Sequence, residues 1–535
     1  MLMFSRRLIF FIFVMAMTLI FGLETSYSAT RQVLNRSNSA EPATLDPHTM
    51  VGVPESNIAR DLFEGLVTED RDGNIVPGVA QRWDISKDGL IYTFYLNPQA
   101  RWSNGDPLTS ADFVYSLRRA VAPLTASPYA NFLYPIKNAQ LVNQNKKPLT
   151  ELGVQAIDAT TLQITLESPT AYFLASLPHS TMRPVHQKTV EQYGGQFTQP
   201  GHLISNGPYQ LKDWIVNAAV QLEKNPYYWN KEAVHIETVN WIPIVDGAAM
   251  VRMYQGGQVD ITTSIPSNQY KRLKALLHDE VTSSPMLATA YYFFNLDKAP
   301  FKDNLKLRQA LTMALDRNII TEQVLGKGEI PLYADVPPNT DNIDVKPYDW
   351  ATSPQNENIA KAKELYVAAG YSKENPLKFT LIFNTLEDQK KLALAVASLW
   401  KQTLGVEVIM ENQEWKVLLD NRRQGNFTMA RGGWVADYND PTTFLNLFLC
   451  NNIQNYSHVC DPVFEELMDK AAKMADPKER RALLTQAHTQ ILKSYAIVPL
   501  YILNESYLIK PYVKGFSGKN PLQHVYTKDL YFVKD

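Results

Sequence analysis

The alternation of apolar and polar positions sets the first expectations along the chain. Ile91 to Leu96 (IYTFYL) alternates or runs apolar as a strand does, and RWSNGDPLTS then breaks the run with turn residues. Thr109 and Asp112 form a T-x-x-D start signal ahead of FVYSLRRAV, so a helix is expected there. The clearest unit lies further on. Phe379 to Phe383 (FTLIF) reads as a strand; Leu392, Val396, Leu399 and Thr403 share one helical face; Gly405 marks the end of that helix; Val406 to Met410 (VEVIM) reads as a second strand. A strand-helix-strand crossover implies a parallel sheet and an α/β fold, with functional loops beyond the carboxyl ends of the strands. Phe427 to Ala430 predicts another short strand, which runs directly into RGGWVADYNDPTTF (Arg431 to Phe444) and places that stretch at a strand end. No internal repeat or low-complexity segment interrupts this pattern.

The first 28 residues follow a different pattern. Arg6 and Arg7 form a positive head, Leu8 to Leu23 is almost wholly apolar, and Ser26-Tyr27-Ser28 puts small residues where a signal peptidase reads. An export signal cleaved near Ser28/Ala29 is expected. A retained anchor is the alternative, and the apolar run falls just under the roughly 17 residues needed to cross a bilayer. There is no cysteine near the cleavage site, so a lipoprotein is not expected. Of 535 residues, 45% are hydrophobic and 20% charged, an ordinary globular composition long enough for two or more domains. The 52 basic and 54 acidic residues give a net charge of -2, with no Lys/Arg block to track phosphates, so a nucleic-acid partner is not expected.

Cys450 and Cys460 are the only two cysteines, and in an exported chain a disulfide between them is expected. His458 lies between them, but no fourth ligand completes a tetrahedral site, so no metal or other cofactor is expected. The motifs H-E-x-x-H, G-x-S-x-G and G-x-x-x-x-G-K-[ST] are absent, which makes an exported hydrolase the weaker class, with no catalytic residues assigned.

Asp437 carries two readings. Asp-Tyr-Asn-Asp-Pro is a dense turn signal in which Asp437 or Asn439 can simply bond its own backbone. Against that, Trp434, Tyr438 and Phe444 would surround the carboxylate with apolar surface, and a carboxylate there is costly unless a cation meets it. Arg431, between FTMA and two glycines, sits where backbone is open to a ligand. Taken singly, Trp415 and Trp434 read as core, and Arg422 in LLDNRRQGNF as a solvated turn.

These residues also carry a resemblance. ATLDPHTMVGVPESNIARDLFEGLV (Ala43 to Val67), GDPLTSADFVYSLRR (Gly105 to Arg119), SNGPYQLKDW (Ser205 to Trp214), LRQALTMALDR (Leu307 to Arg317), NQEW (Asn412 to Trp415) and ARGGWVADYNDPTTFLN (Ala430 to Asn446) resemble the periplasmic oligopeptide-binding proteins of ABC importers. The likeness runs from about Leu45 to the C-terminus. It implies a three-domain α/β binding protein whose two lobes close over the ligand by a hinge. Projected onto this chain, domain I takes about 29–64, 190–287 and 505–535, domain II about 65–189 and domain III about 288–504. The hinge crossings then fall near 287 and 504.

The resemblance further implies a monomeric receptor for short peptides, periplasmic, serving a membrane permease with separate ATPase subunits. Asp437 matches the aspartate that holds the peptide α-ammonium, and Arg431 an arginine that meets the C-terminal carboxylate of shorter peptides. Trp415 and Trp434 match pocket walls, with Tyr438 and Asn439 beside them; Arg422 matches a pocket arginine and Tyr129 a tyrosine from domain II. Gly52-Val53 and Gly433 to Val435 would pair with the peptide main chain as added strands. Three positions depart from the pattern. Val51 replaces a glutamate found in some relatives, and Gln389 stands where a histidine receives the carboxylate of longer peptides. A long-range cysteine pair of the family falls at Ala288 and Val435, whereas the local Cys450/Cys460 pair is more like dipeptide-binding relatives. A murein tripeptide or dipeptide receptor is therefore the nearest alternative; nickel chelate or heme is suggested only by other relatives of the fold.

Overall fold

The computed structural model describes residues 32–474 and 476–533, without the side chains of Glu387, Trp415 and Lys416. The export segment expected over residues 1–28 lies outside the described residues. Three larger sheets organise the rest. The first runs Val33–Asn38, Thr238–Pro243, Ala219–Lys224, Tyr209–Ile215; its first pair is parallel and the others antiparallel. Ile58, Ala59 and Leu62 of the helix Val53–Leu62 pack into the core it shares with Tyr209, Leu222 and Trp241. The second sheet, Ala80–Ile85, Ile91–Leu96, Thr161–Thr165, Val154–Asp158, is antiparallel throughout. IYTFYL is its second strand and alternates half-buried and buried positions as expected. Thr109 and Asp112 close a capping box on the helix Ser110–Val121, whose Phe113 and Leu117 reach the same core as Phe94 and Ile164.

The third sheet has six strands in the order Ile330–Pro331, Ile497–Leu508, Val281–Phe294, Met429–Val435, Lys378–Asn384, Glu407–Gln413. The anticipated crossover is there: Lys378–Asn384 and Glu407–Gln413 are parallel and joined by the helix Glu387–Leu404, which ends on Gly405 at φ 78°. Leu392 and Val396 pack beneath the sheet, and Trp400 is fully buried with its indole N–H donated to the Leu311 carbonyl at 2.8 Å. Val281–Phe294 and Ile497–Leu508 are long antiparallel partners, and their register breaks between Pro285 and Thr289 and again after Ala290. Buried side chains gather in separate cores, one drawn from 66–182, one from 34–63 with 203–261 and 509–530, and two on the faces of the six-stranded sheet.

Gly52 is extended, and its carbonyl accepts from Ser56 as the cap of the helix that Val53 begins, so Gly52-Val53 stands at a helix start. Pro54 in the first turn favours that outcome, because its missing N–H costs nothing where helical donors have no partner.

Candidate functional site

The strand Met429–Val435 is paired unequally. On one side all seven residues pair with the strand Val281–Phe294, from Met429↔Phe294 to Val435↔Ala288. On the other, the strand Lys378–Asn384 meets only Met429 and Ala430. Arg431 to Val435 thus present an open edge, and among the described residues no other backbone takes it up. Two glycines allow the chain to lie this close to its neighbour: a Cβ on Gly432 would sit 2.4 Å from the Tyr291 ring, and one on Gly433 2.9 Å from the Thr289 carbonyl oxygen.

The edge ends in the DYND turn, and the two aspartates of that turn have different fates. Asp440 is buried and locked: Arg480 donates to both its oxygens at 2.7 and 2.9 Å, and the Thr442 amide and hydroxyl donate to it at 3.1 and 2.7 Å. Asp437 is held only through its backbone, whose N–H donates to the Thr443 hydroxyl at 3.3 Å while the Trp434 indole donates to the same oxygen at 3.0 Å. Among the described residues nothing bonds the Asp437 carboxylate, and burial pushes its pKa up to about 7. The turn is real, and it presents a carboxyl group that no group among the described residues pairs.

Aromatic rings line the same cavity as this carboxylate. Tyr438 stacks on Tyr172 at 4.7 Å and 4°, with Phe132 edge-on at 6.2 Å. Tyr129 lies near enough that, after burial, the Asp437 charge is the second influence raising its pKa. A cavity of about 150 Å³ separates the two sides, with Asp437 and Trp434 on one wall and Asn131, Tyr172 and Ser176 on the other. Asn452 and Gln454, from the loop that Cys450 and Cys460 close as the expected disulfide, also line it.

Arg431, at the other end of the open edge, directs its Nε to the Gln389 carbonyl oxygen at 3.3 Å. Gln389 is 8% exposed and stands on the first turn of the helix Glu387–Leu404. Arg422 is not the solvated turn that its sequence context suggests: it is 7% exposed, with its guanidinium over the rings of Tyr456 at 4.4 Å and Phe293 at 5.2 Å. Burial lowers its pKa, and its Nε has no partner among the described residues. Asn439 is spent on Asp341, donating to its carboxylate at 2.8 Å and accepting from its amide at 3.0 Å. Trp415 opens the helix Trp415–Arg423, and its side chain lies outside the described residues. Tyr172, Phe132, Asn446 and Gln454 had escaped sequence reasoning; Tyr172 sits in a plain SPTAYF loop with no pattern that marks it.

Among the described residues no cluster of three His, Cys, Asp or Glu is spaced to hold a metal, and no helix is long and apolar enough to cross a membrane. Residues 74–456 match the family model for bacterial extracellular solute-binding proteins, family 5 Middle. The chain is 45% identical over 509 residues to the periplasmic oligopeptide-binding protein OppA of Escherichia coli K12, covering 95% of this chain and 93% of that one. It is 41% identical over 508 residues to the periplasmic murein peptide-binding protein MppA of the same organism, covering 95% and 94%. The crystal structure of Haemophilus influenzae OppA in complex with RPPGFSPFR superposes with a TM-score of 0.81 at 40% identity, over 94% of this chain and 99% of that one. With its α/β architecture, open strand edge and unpaired carboxylate in a cleft, the chain belongs to the bacterial extracellular solute-binding proteins, family 5.

Proposed function

We propose that this protein is an exported receptor that captures short peptides in extended form and hands them to a membrane permease driven by separate ATPase subunits. The observation that carries the reading is Asp437: a half-buried, desolvated carboxylate with no hydrogen-bond partner among the described residues, at the end of an open strand edge. A peptide laid along Arg431 to Val435 would bond its main chain to that edge, which binds without reading side chains. Its ammonium would meet Asp437, and its C-terminal carboxylate Arg431, held in place by Gln389.

Closure follows domain I (29–64, 190–287, 505–535) and domain II (65–189) moving against domain III (288–504). Three separate cores support that division, and the register break after Pro285 supports a hinge where two strands cross. The reading takes the protein as a monomer in the periplasm, its leader cleaved and without a lipid anchor, and as a binder and not a catalyst.

Titration calorimetry tests the reading with Ala-Ala-Ala, its N-acetylated form and the Asp437→Ala variant. Losing one partner of a buried charge pair costs about 2–5 kcal/mol, so acetylation and Asp437→Ala should each weaken binding at least about tenfold. Equal affinity in all three titrations removes Asp437 from the site. The murein peptide-binding relative and the uncharged Val51 favour murein tripeptide as a second ligand. Competition between murein tripeptide and Ala-Ala-Ala separates the two, and mass spectrometry showing cleaved peptide would favour a hydrolase instead.

A further inference from the structure

Two consecutive side chains at the start of the helix Glu387–Leu404 have different partners. Gln389 accepts from the Arg431 Nε at 3.3 Å and so belongs to the arginine end of the open edge. Asp388, one residue earlier, accepts from the Ser267 hydroxyl, and its second oxygen stands 3.7 Å from the Lys327 ammonium. Ser267 opens the helix Ser267–Leu277, whose Tyr270 and Leu273 are rooted in a small core of their own with Val251, Tyr254 and Leu508. The helix Glu387–Leu404 is rooted elsewhere, through Leu392, Val396 and Trp400, in a core of the six-stranded sheet. The bond from Ser267 to Asp388 therefore joins two separately packed bodies, which the reading above assigns to domain I and domain III.

No side chain caps the start of this helix. Its cap residue, Leu386, is 58% exposed and gives the first turn no side-chain bond, so the contacts of Asp388 are what fix that turn from outside. A carboxylate in a first turn is also favoured by the helix dipole. Lys327 completes the arrangement from a loop seated on the proposed hinge: its carbonyl accepts from Asn504 at 2.6 Å and from Ser283 at 3.4 Å, residues of the two long antiparallel strands. The Arg431 to Gln389 bond lies at the long end of its range, so a small outward shift of the first turn breaks it.

We propose that Asp388 is a positioning residue: its bond to Ser267 forms as the lobes close and holds the first turn so that Gln389 keeps Arg431 aimed at the peptide's C-terminal carboxylate. The inference rests on the reading above, in which two lobes close and Arg431 meets that carboxylate. Stopped-flow tryptophan fluorescence with Ala-Ala-Ala and its C-terminal amide tests it. Ser267→Ala and Asp388→Ala should each speed release of Ala-Ala-Ala about three- to tenfold and leave association within about twofold, since the lost bond forms after encounter. The double variant should release no faster than Asp388→Ala, because the same bond is lost in both. Asp388→Asn keeps an acceptor for Ser267 and should stay within about twofold of the unaltered protein. The unaltered protein should favour the free acid over the amide at least about tenfold, and Asp388→Ala should cut that preference at least about threefold while the penalty for N-acetylation is unchanged. Unchanged release, release rates that multiply in the double variant, or an acid preference that Asp388→Ala leaves intact overturns the proposal. If the unaltered protein binds the amide as tightly as the acid, the assignment of Arg431 itself fails and the positioning role falls with it, so the two failures are told apart.

Discussion

Acid should switch this receptor off through one carboxyl group. In the ligand-free protein burial alone sets the Asp437 pKa at about 7, against an ordinary value of 3.8. An ammonium bound beside it favours the charged form and brings the pKa back to the ordinary range or below. Binding therefore releases a proton, and affinity rises with pH through the free-protein value. Only the ionised fraction binds well, so the association constant should fall about 25-fold from about pH 7.5 to about pH 5.5, or ~1.9 kcal/mol. Above about pH 8 the peptide's own ammonium loses its proton and affinity falls again, so the profile is bell-shaped with its top near neutrality. Calorimetry of Ala-Ala-Ala in buffers of different ionisation enthalpy measures both affinity and proton count, with close to one proton released at about pH 6. Glu505, on the strand Ile497–Leu508, is also raised to about 7 by burial, so the Asp437→Asn variant is the necessary control. It keeps Glu505 and should lose the acid limb. A flat affinity between about pH 5.5 and 7.5, or an acid limb that survives in Asp437→Asn, refutes the reasoning. The same shift has a stability side of opposite sign. A carboxyl whose pKa is raised on folding contributes stability at low pH and loses it as pH rises through about 7. Asp437→Asn should thus stabilise the empty protein at about pH 8, by at most about 4 kcal/mol, and leave it unchanged at about pH 4.

Three further outcomes follow from the geometry. Gln389→Glu puts a carboxylate against Arg431 and uses up its charge, so tripeptide affinity should fall at least about tenfold while N-acetylation keeps its own penalty. Tyr172→Ala removes a stacked ring worth about 0.5–1.5 kcal/mol from the contact across the cleft, and stopped-flow release of a fluorescent peptide should speed up about two- to tenfold. Asp440→Ala strands Arg480 in a buried site and should cost about 3–5 kcal/mol in denaturant unfolding, far more than removing the exposed Asp344 partner of Arg481.

The strands, helices and crossover around the site were legible because their signals are local. FTLIF, VEVIM and Gly405 each announce their element within a few residues, and Thr109 with Asp112 states a cap in four. The distinction between Asp437 and Asp440 was not legible. Both sit in the same turn, and what separates them is Arg480, forty residues on along the chain, which pairs with one and leaves the other. The burial of Arg422 between Tyr456 and Phe293 hid for the same reason, since a basic pair ahead of Gln-Gly reads as surface until the tertiary rings are in place. At Gly52-Val53 the local signal was present, because Pro54 announces the helix start.

A row of unpaired amides and carbonyls on the outside of a protein is a template on which other molecules polymerise, and edges are usually short, charged or covered for that reason. Here the bare backbone of Arg431 to Val435 lies beside the cavity between facing aromatic rings, with Arg431 at its head. A peptide laid there, as proposed, would itself take up those donors and acceptors, so the bound form would offer no bare edge to another copy.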